Sequence, residues 1–200
     1  MTKACKAVAT AQAALEGGIT ILQLREKKAP IPEVLEKGRM IRDLCRKHQV
    51  PFIVNDRVDL ALLLDADGVH VGQDDIPGRL VRSLVGEDKI VGISAGSMEE
   101  AERAVSEGAD YLGVGAVYTT LTKGDAGEPI GTGLITEIKE KWPGLPLVGI
   151  GGIQASNAGP VIQSGGDGVA VVSAIAKRPD PQQAAAALLQ IVLSERTKSK

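Results

Sequence analysis

The chain has 200 residues, 44% of them hydrophobic and 24% charged, a size and balance suited to one domain, residues 1–200, with a substantial core. A net charge of −2 and only 2% aromatic residues leave neither a basic field nor stacking platforms for a nucleic-acid partner. No apolar run approaches the roughly 20 residues that cross a bilayer, and Met1 to Lys6 leads into no secretory segment, so the expectation is a cytoplasmic protein without a membrane partner.

Cys5 and Cys45 are far apart and have no His at metal-ligand spacing, and they read as free thiols of a reducing compartment. Residues 3–16 are Ala-rich and end at Gly17-Gly18, which predicts a helix with a C-terminal stop. Residues 19–24 read as a strand running into Arg25, Glu26 and Lys27, and 31–48, introduced by prolines, as a long amphipathic helix. In 51–75 two short apolar strands, PFIV and GVHVG, enclose about two turns of helix over 58–64; their continuous hydrophobicity predicts burial on both faces. Further on, 77–85 predicts a helix, 90–93 a strand, and 97–106 a helix opened by Ser97 and Glu100 at capping-box spacing. A strand over 111–117 is followed by a polar, Gly-rich loop, 118–133, of the length that compact domains keep for a lid or a binding loop. The remainder reads as helix 134–141, strand 146–150, a Gly151-Gly152 turn, helix 155–164, strand 168–172, helix 181–193 and a solvated tail, 194–200.

The joints EGGITIL, DADGVHV, EGADYLGV and SGGDGVAV repeat one theme, small or acidic turn residues before an apolar strand. Alternation of this kind predicts an α/β chain, a (β/α)8 TIM barrel in preference to an open doubly wound sheet. The reading counts seven strands and eight helices, one strand short of a closed barrel.

A barrel gathers the residues that follow each strand at one mouth, and here they are polar. Asp56 and Asp75 end two successive strands and suit a hard cation held together with phosphate oxygens; equally, each could cap the helix that follows. Arg25 and Lys27 alternate along an extended chain and can place two cations on a diphosphate, against the alternative of a solvated strand end. The GIGG turn at 149–152, with Val172 and Ser173 after the last strand, lies where barrels build a phosphate site, although glycines also serve close helix packing. His48 and His70 read as structural, and no Ser-His-Asp or Cys-His arrangement suggests acyl transfer.

QLREK (Gln23 to Lys27), VND (Val54 to Asp56), GVHVGQDD, the strand end at Ser94, the TxTK of Thr120 to Lys123 and VGIGGI (Val148 to Ile153) together resemble the motif set of the thiamin phosphate synthase family, in order from about Gly17 to Ile175. The resemblance implies a (β/α)8 barrel that joins hydroxymethylpyrimidine diphosphate to thiazole phosphate and releases diphosphate by dissociative substitution. It implies that Gln23, Arg25, Lys27, Asn55, Ser94 and Lys123 hold the pyrimidine diphosphate, with Lys123, Arg25 and Ser94 acting on the departing group. Asp56 and Asp75 would hold Mg²⁺, and Thr120, Thr122, Gly152, Val172 and Ser173 the thiazole phosphate. The partners are then small molecules, with a homo-oligomer left open. Thr119 stands where the family usually has Pro, and Gly96 where it often has His. The family's first strand, expected before Lys3, is absent, which suggests a truncated or misassigned start. Two rivals remain: a thiazole tautomerase relative, disfavoured because GVGAVY (Gly113 to Tyr118) lacks the His expected there, and an inactive barrel that only binds phosphorylated ligands.

Overall fold

The computed structural model describes residues 3–120 and 128–198. Its elements alternate as expected: α1 (Lys3–Glu16), β1 (Leu22–Leu24), α2 (Ile31–His48), β2 (Phe52–Asn55), α3 (Val58–Leu63), β3 (Gly68–Val71), α4 (Gly78–Val85) and β4 (Ile90–Ala95). These are followed by α5 (Met98–Ser106), β5 (Tyr111–Val114), α6 (Gly133–Lys141), β6 (Leu147–Ile150), α7 (Ala158–Gln163), β7 (Gly168–Ala170), α8 (Ser173–Ala176) and α9 (Pro181–Lys198).

All seven strands form one parallel sheet in the order β1-β2-β3-β4-β5-β6-β7, curled in the manner of a TIM barrel. Every residue of β2, β3 and β5 is buried, because helices cover one face and the curl encloses the other. Strands β1 and β7 form the two edges and are the most open of the set. Outside them the helical layer continues across the gap, since α1 packs against both α2 and α9. The described residues thus form seven strands of a barrel-like sheet and not a closed eight-stranded ring.

The repeated joints have a structural purpose that the pattern alone did not reveal. Asp67, Asp110 and Asp167 each sit just before a strand, and each accepts a hydrogen bond from an N–H at the start of the preceding strand, its first residue in two cases and its second in the other: Phe52 N at 2.7 Å, Val91 N at 2.7 Å and Leu147 N at 2.9 Å. The backbone N–H of each Asp returns a bond to the carbonyl of that same residue, so the start of three strand pairs is clamped in register. Arg82 and Lys139 neutralise two of these carboxylates, at 2.6 and 2.8 Å.

Several boundaries differ from the sequence reading. The first strand is confined to Leu22–Leu24, because residues 19–21 serve the turn that leaves α1. The last strand stops at Ala170, and an unanticipated one-turn helix, α8, starts at Ser173, giving nine helices among the described residues instead of eight. Residues 194 and 196–198 are exposed, as expected of a solvated end, but 194–198 continue α9 as helix, with Glu195 fixed by Gln163 at 2.6 Å; residues 199–200 lie outside the described residues. Ser97 caps α5 as expected, accepting from Glu100 N at 3.2 Å, but Glu100 reaches back to Gly96 N, not to Ser97 N.

Cys45 is fully buried under the sheet, where loss of solvation pushes its thiol up to about 12, whereas Cys5 is exposed. An aromatic disulfide reagent is therefore expected to titrate one thiol per native chain and two after unfolding. Two fast thiols in the native state would contradict this packing. Among the described residues no helix is long and apolar enough to cross a membrane.

Candidate active site

The carboxyl ends of β1 and β2 meet in a cleft of about 260 Å³ lined by Arg25, Glu26, Lys27, Asn55, Asp56 and Arg57, among others. The loop after β1 is shaped by Glu26, which the sequence reading passed over. Its carboxylate accepts from Lys37 Nζ at 2.7 Å and from the N–H groups of Lys28 and Ala29 at 3.2 and 3.4 Å. The bond from Lys37 is the main reason its carboxyl is held below the usual range. Arg25 and Lys27 project from this braced loop; Lys27 Nζ lies 3.5 Å from Asp56 Oδ2.

Asp56 occupies the left-handed backbone region at φ 62°, which few non-glycine residues adopt. Two bonds hold it there, Asp56 N to His70 O at 2.8 Å and Arg57 N to Asn55 O at 2.7 Å. The strained turn swings the carboxylate off the end of β2, so the capping alternative fails for Asp56: the residue before α3 is Arg57, and no side chain caps that helix. Asp75 does serve its own turn, accepting from Gly72 N at 2.7 Å, and α4 likewise has no side-chain cap. Asp56, Asp74 and Asp75 line a second, more open hollow of about 710 Å³, so the two expected cation ligands share one space.

Among the described residues two buried polar atoms in this region find no hydrogen-bond partner, Arg25 Nε and Asn55 Nδ2, the latter on a residue only 5% exposed. An unsatisfied buried donor costs roughly 1–3 kcal/mol. Two of them facing one cleft indicate an acceptor that the described residues do not supply.

Ser94 lies near the end of β4. Its hydroxyl is 2.9 Å from His70 Nε2, and its carbonyl accepts from Gln73 Nε2, which is steadied in turn by Arg103 at 2.7 Å. The Gln23 side chain hydrogen-bonds the Tyr111 hydroxyl. Beyond β6, Gly151 and Gly152 have φ of 86° and 68°, and a Cβ on Gly152 would fall 2.6 Å from the Thr119 carbonyl oxygen. The glycine turn therefore presses directly on the chain after β5, an approach only glycine permits. Tyr118 N donates to Gly151 O at 3.1 Å, and its hydroxyl to Asn157 O at 3.0 Å. Thr120 is half-buried at the end of this segment; Thr122 and Lys123 lie outside the described residues. Val172 is exposed, and Ser173 begins α8.

The sequence reading missed Tyr111 and set His70 aside. The available signal was the row of glycines opposite them: in register, His70 pairs with Gly92, Gly92 with Tyr111, and Ser94 with Gly113.

A curled parallel sheet with amides, cations and carboxylates collected past its strand ends defines a TIM-barrel-like α/β enzyme scaffold. The family model described as thiamine monophosphate synthase matches residues 2–175, and the chain belongs to that family. The thiamine-phosphate synthase of Geobacillus thermodenitrificans is 52% identical over 182 residues, covering 90% of this chain and 82% of that protein. That of Moorella thermoacetica is 49% identical over 185 residues, 92% of this chain and 88% of its own. A solved thiamine phosphate pyrophosphorylase from Pyrococcus furiosus matches with a TM-score of 0.87 at 41% identity, covering 94% of this chain and 90% of that one. The protein is accordingly an enzyme, a transferase of thiamine biosynthesis.

Proposed function

We propose that this chain condenses hydroxymethylpyrimidine diphosphate with thiazole phosphate, plain or carboxylated, to give thiamine phosphate and diphosphate. The observation that carries the reading is the cleft between β1 and β2, where two cations converge and where Arg25 Nε and Asn55 Nδ2 are buried donors awaiting an acceptor. A diphosphate supplies many such acceptors and the negative charge that Arg25 and Lys27 match.

In this reading Gln23, Arg25, Lys27, Asn55, Ser94 and Lys123 hold the pyrimidine diphosphate. Thr120, Thr122, Gly152, Val172 and Ser173 hold the thiazole phosphate, supported by the position of the glycine turn beside the segment 118–120 and by the short helix opening at Ser173. Among the described residues no three His, Cys, Asp or Glu side chains cluster as a complete metal site. Asp56 and Asp75 nevertheless fit Mg²⁺, an ion commonly bound by one or two carboxylates with phosphate and water completing its shell. Bound there, Mg²⁺ would offset charge on the departing diphosphate. The protein's own contribution is to fix both substrates, neutralise the leaving group through Arg25, Lys27 and Lys123, and exclude water while the pyrimidine cation meets the thiazole nitrogen. No general base is needed at the reacting carbon.

The reading also takes the sheet as seven strands of a (β/α)8 barrel, supported by α1 packing on α9 across the gap between β7 and β1. A cytoplasmic location accords with two cysteines outside any disulfide and with the small-molecule substrates.

Diphosphate release by this chain, measured with both substrates and with or without Mg²⁺, tests the proposal. Release that requires both substrates and the cation is expected. Binding of either phosphorylated compound without release, from folded protein, would replace the enzyme reading by that of a ligand-binding barrel.

A further inference from the structure

His70, in the interior of the sheet on β3, is 5% exposed and has a partner at each ring nitrogen: Nδ1 lies 2.9 Å from Tyr111 Oη and Nε2 lies 2.9 Å from Ser94 Oγ. The proposed condensation asks for no buried imidazole base, so the ring has another purpose. Space is reserved for it. A Cβ on Gly92 would fall 2.5 Å from Nδ1, and one on Gly113 3.0 Å from Cε1. On the far side of Tyr111, whose ring centroid is 5.4 Å from that of His70, Gln23 completes a line of four side chains drawn from β1, β5, β3 and β4.

The line has a direction. Neutral imidazole carries one N–H, so it donates at one nitrogen and accepts at the other. Burial pushes the Tyr111 phenol up to about 12, and its hydroxyl keeps its proton at any ordinary pH. A Ser94 hydroxyl that serves an anionic ligand oxygen must donate to it, so at its 2.9 Å contact with His70 Nε2 it can only accept. The Tyr111 hydrogen then goes to His70 Nδ1, the imidazole hydrogen sits on Nε2 and goes to Ser94 Oγ, and the Ser94 hydrogen is left to be donated outward. The reverse order would commit the Ser94 hydrogen to His70 and present only lone pairs to an anion.

We infer that Gln23, Tyr111, His70 and Ser94 form a directed hydrogen-bond relay in which His70 is a positioning residue that turns the Ser94 hydroxyl into a donor for an anionic oxygen of the ligand. The inference rests on the reading of Ser94 as a diphosphate-binding residue and adds what makes that serine a donor.

Its direct test is the tautomer of His70 in the ligand-free full chain, read from long-range proton–nitrogen spectra of histidine-labelled protein, with His48→Gln to assign the second ring. The expected result is a proton on Nε2 in the wild type and loss of that preference in Tyr111→Phe. A wild-type ring protonated on Nδ1 alone overturns the relay. In turnover, His70→Gln, whose amide nitrogen reaches the Nε2 position, is expected to keep kcat within about threefold. His70→Asn reaches only the Nδ1 position and should lose about 100-fold in kcat with a much smaller change in KM, the usual scale for one misdirected donor. Equal losses in the two variants would make His70 a packing residue and overturn the relay. If Ser94→Ala turns over at the wild-type rate, it is the diphosphate reading of Ser94 that falls, while the tautomer still decides the direction of the line.

Discussion

Asp56→Asn is expected to lower kcat by about 100-fold or more, with a raised requirement for Mg²⁺ and almost no change in melting temperature. The contrast follows from the two things Asp56 does. Its backbone is held at φ 62°, a region that asparagine tolerates nearly as well as aspartate, so the turn after β2 survives the change. Its carboxylate faces the space shared with Asp75 and lies 3.5 Å from Lys27 Nζ, and that charge is lost. The Lys27 pair itself contributes little to stability, since the lysine side chain is 50% exposed and such pairs are worth about 0–1 kcal/mol. Asp56→Ala separates the two roles: it should match the asparagine variant in rate but melt lower, because alanine pays about 1–2 kcal/mol to hold a left-handed backbone. Steady-state rates across a Mg²⁺ series, with calorimetry on both variants, check this. An asparagine variant of wild-type rate would remove Asp56 from the cation site.

Gly92→Ala should damage stability and rate together. The added methyl would sit 2.2 Å from Tyr111 Cζ and 2.5 Å from His70 Nδ1, both in the packed interior of the sheet, where neither ring can move without displacing the other. Overpacking of this kind costs about 1–3 kcal/mol, or about 3–10 °C in a domain of this size. It also parts Tyr111 from His70, so kcat should fall beyond what the residual fold explains. Gly113→Ala supplies the control, since its methyl meets His70 only at 3.0 Å and needs a shift of a few tenths of an ångström. The expected order of melting temperature is wild type, Gly113→Ala, Gly92→Ala. A Gly92→Ala protein that melts with the wild type would show that the interior is looser than these distances require.

Much of the architecture was legible because local rules and global fold agree. Short apolar runs such as PFIV and GVHV have no polar face to spend on solvent, and their alternation with amphipathic segments leaves a parallel sheet as the natural outcome. The grouping of Arg25, Lys27, Asn55 and Asp56 followed from the same logic, since parallel strands put all their carboxyl ends on one side. Reading failed at the edges. Residues 168–172 looked like one strand because Val171 and Val172 are β-branched, yet β7 is an edge strand with a single neighbour, and pairing stops at Ala170. Residues 194–198 looked like an unstructured end because they are charged, and most are indeed exposed, but charge does not end a helix whose other face is packed on α7 and α1.

By itself the sequence determined the order of elements, the parallel sheet, the polar mouth and, through six ordered motifs, the family. These depend on residue type and spacing along the chain, which a sequence carries directly. Only the tertiary structure decided that Asp56 leaves helix α3 uncapped to face a shared cavity, that Glu26 braces the QLREK loop, and that Asp67, Asp110 and Asp167 clamp the starts of neighbouring strands. The same holds for the line from Gln23 to Ser94, which joins four strands lying up to 88 residues apart in sequence, from Gln23 to Tyr111. Such contacts follow from the register of strand against strand, set by the packing of the whole sheet, and no local pattern encodes them.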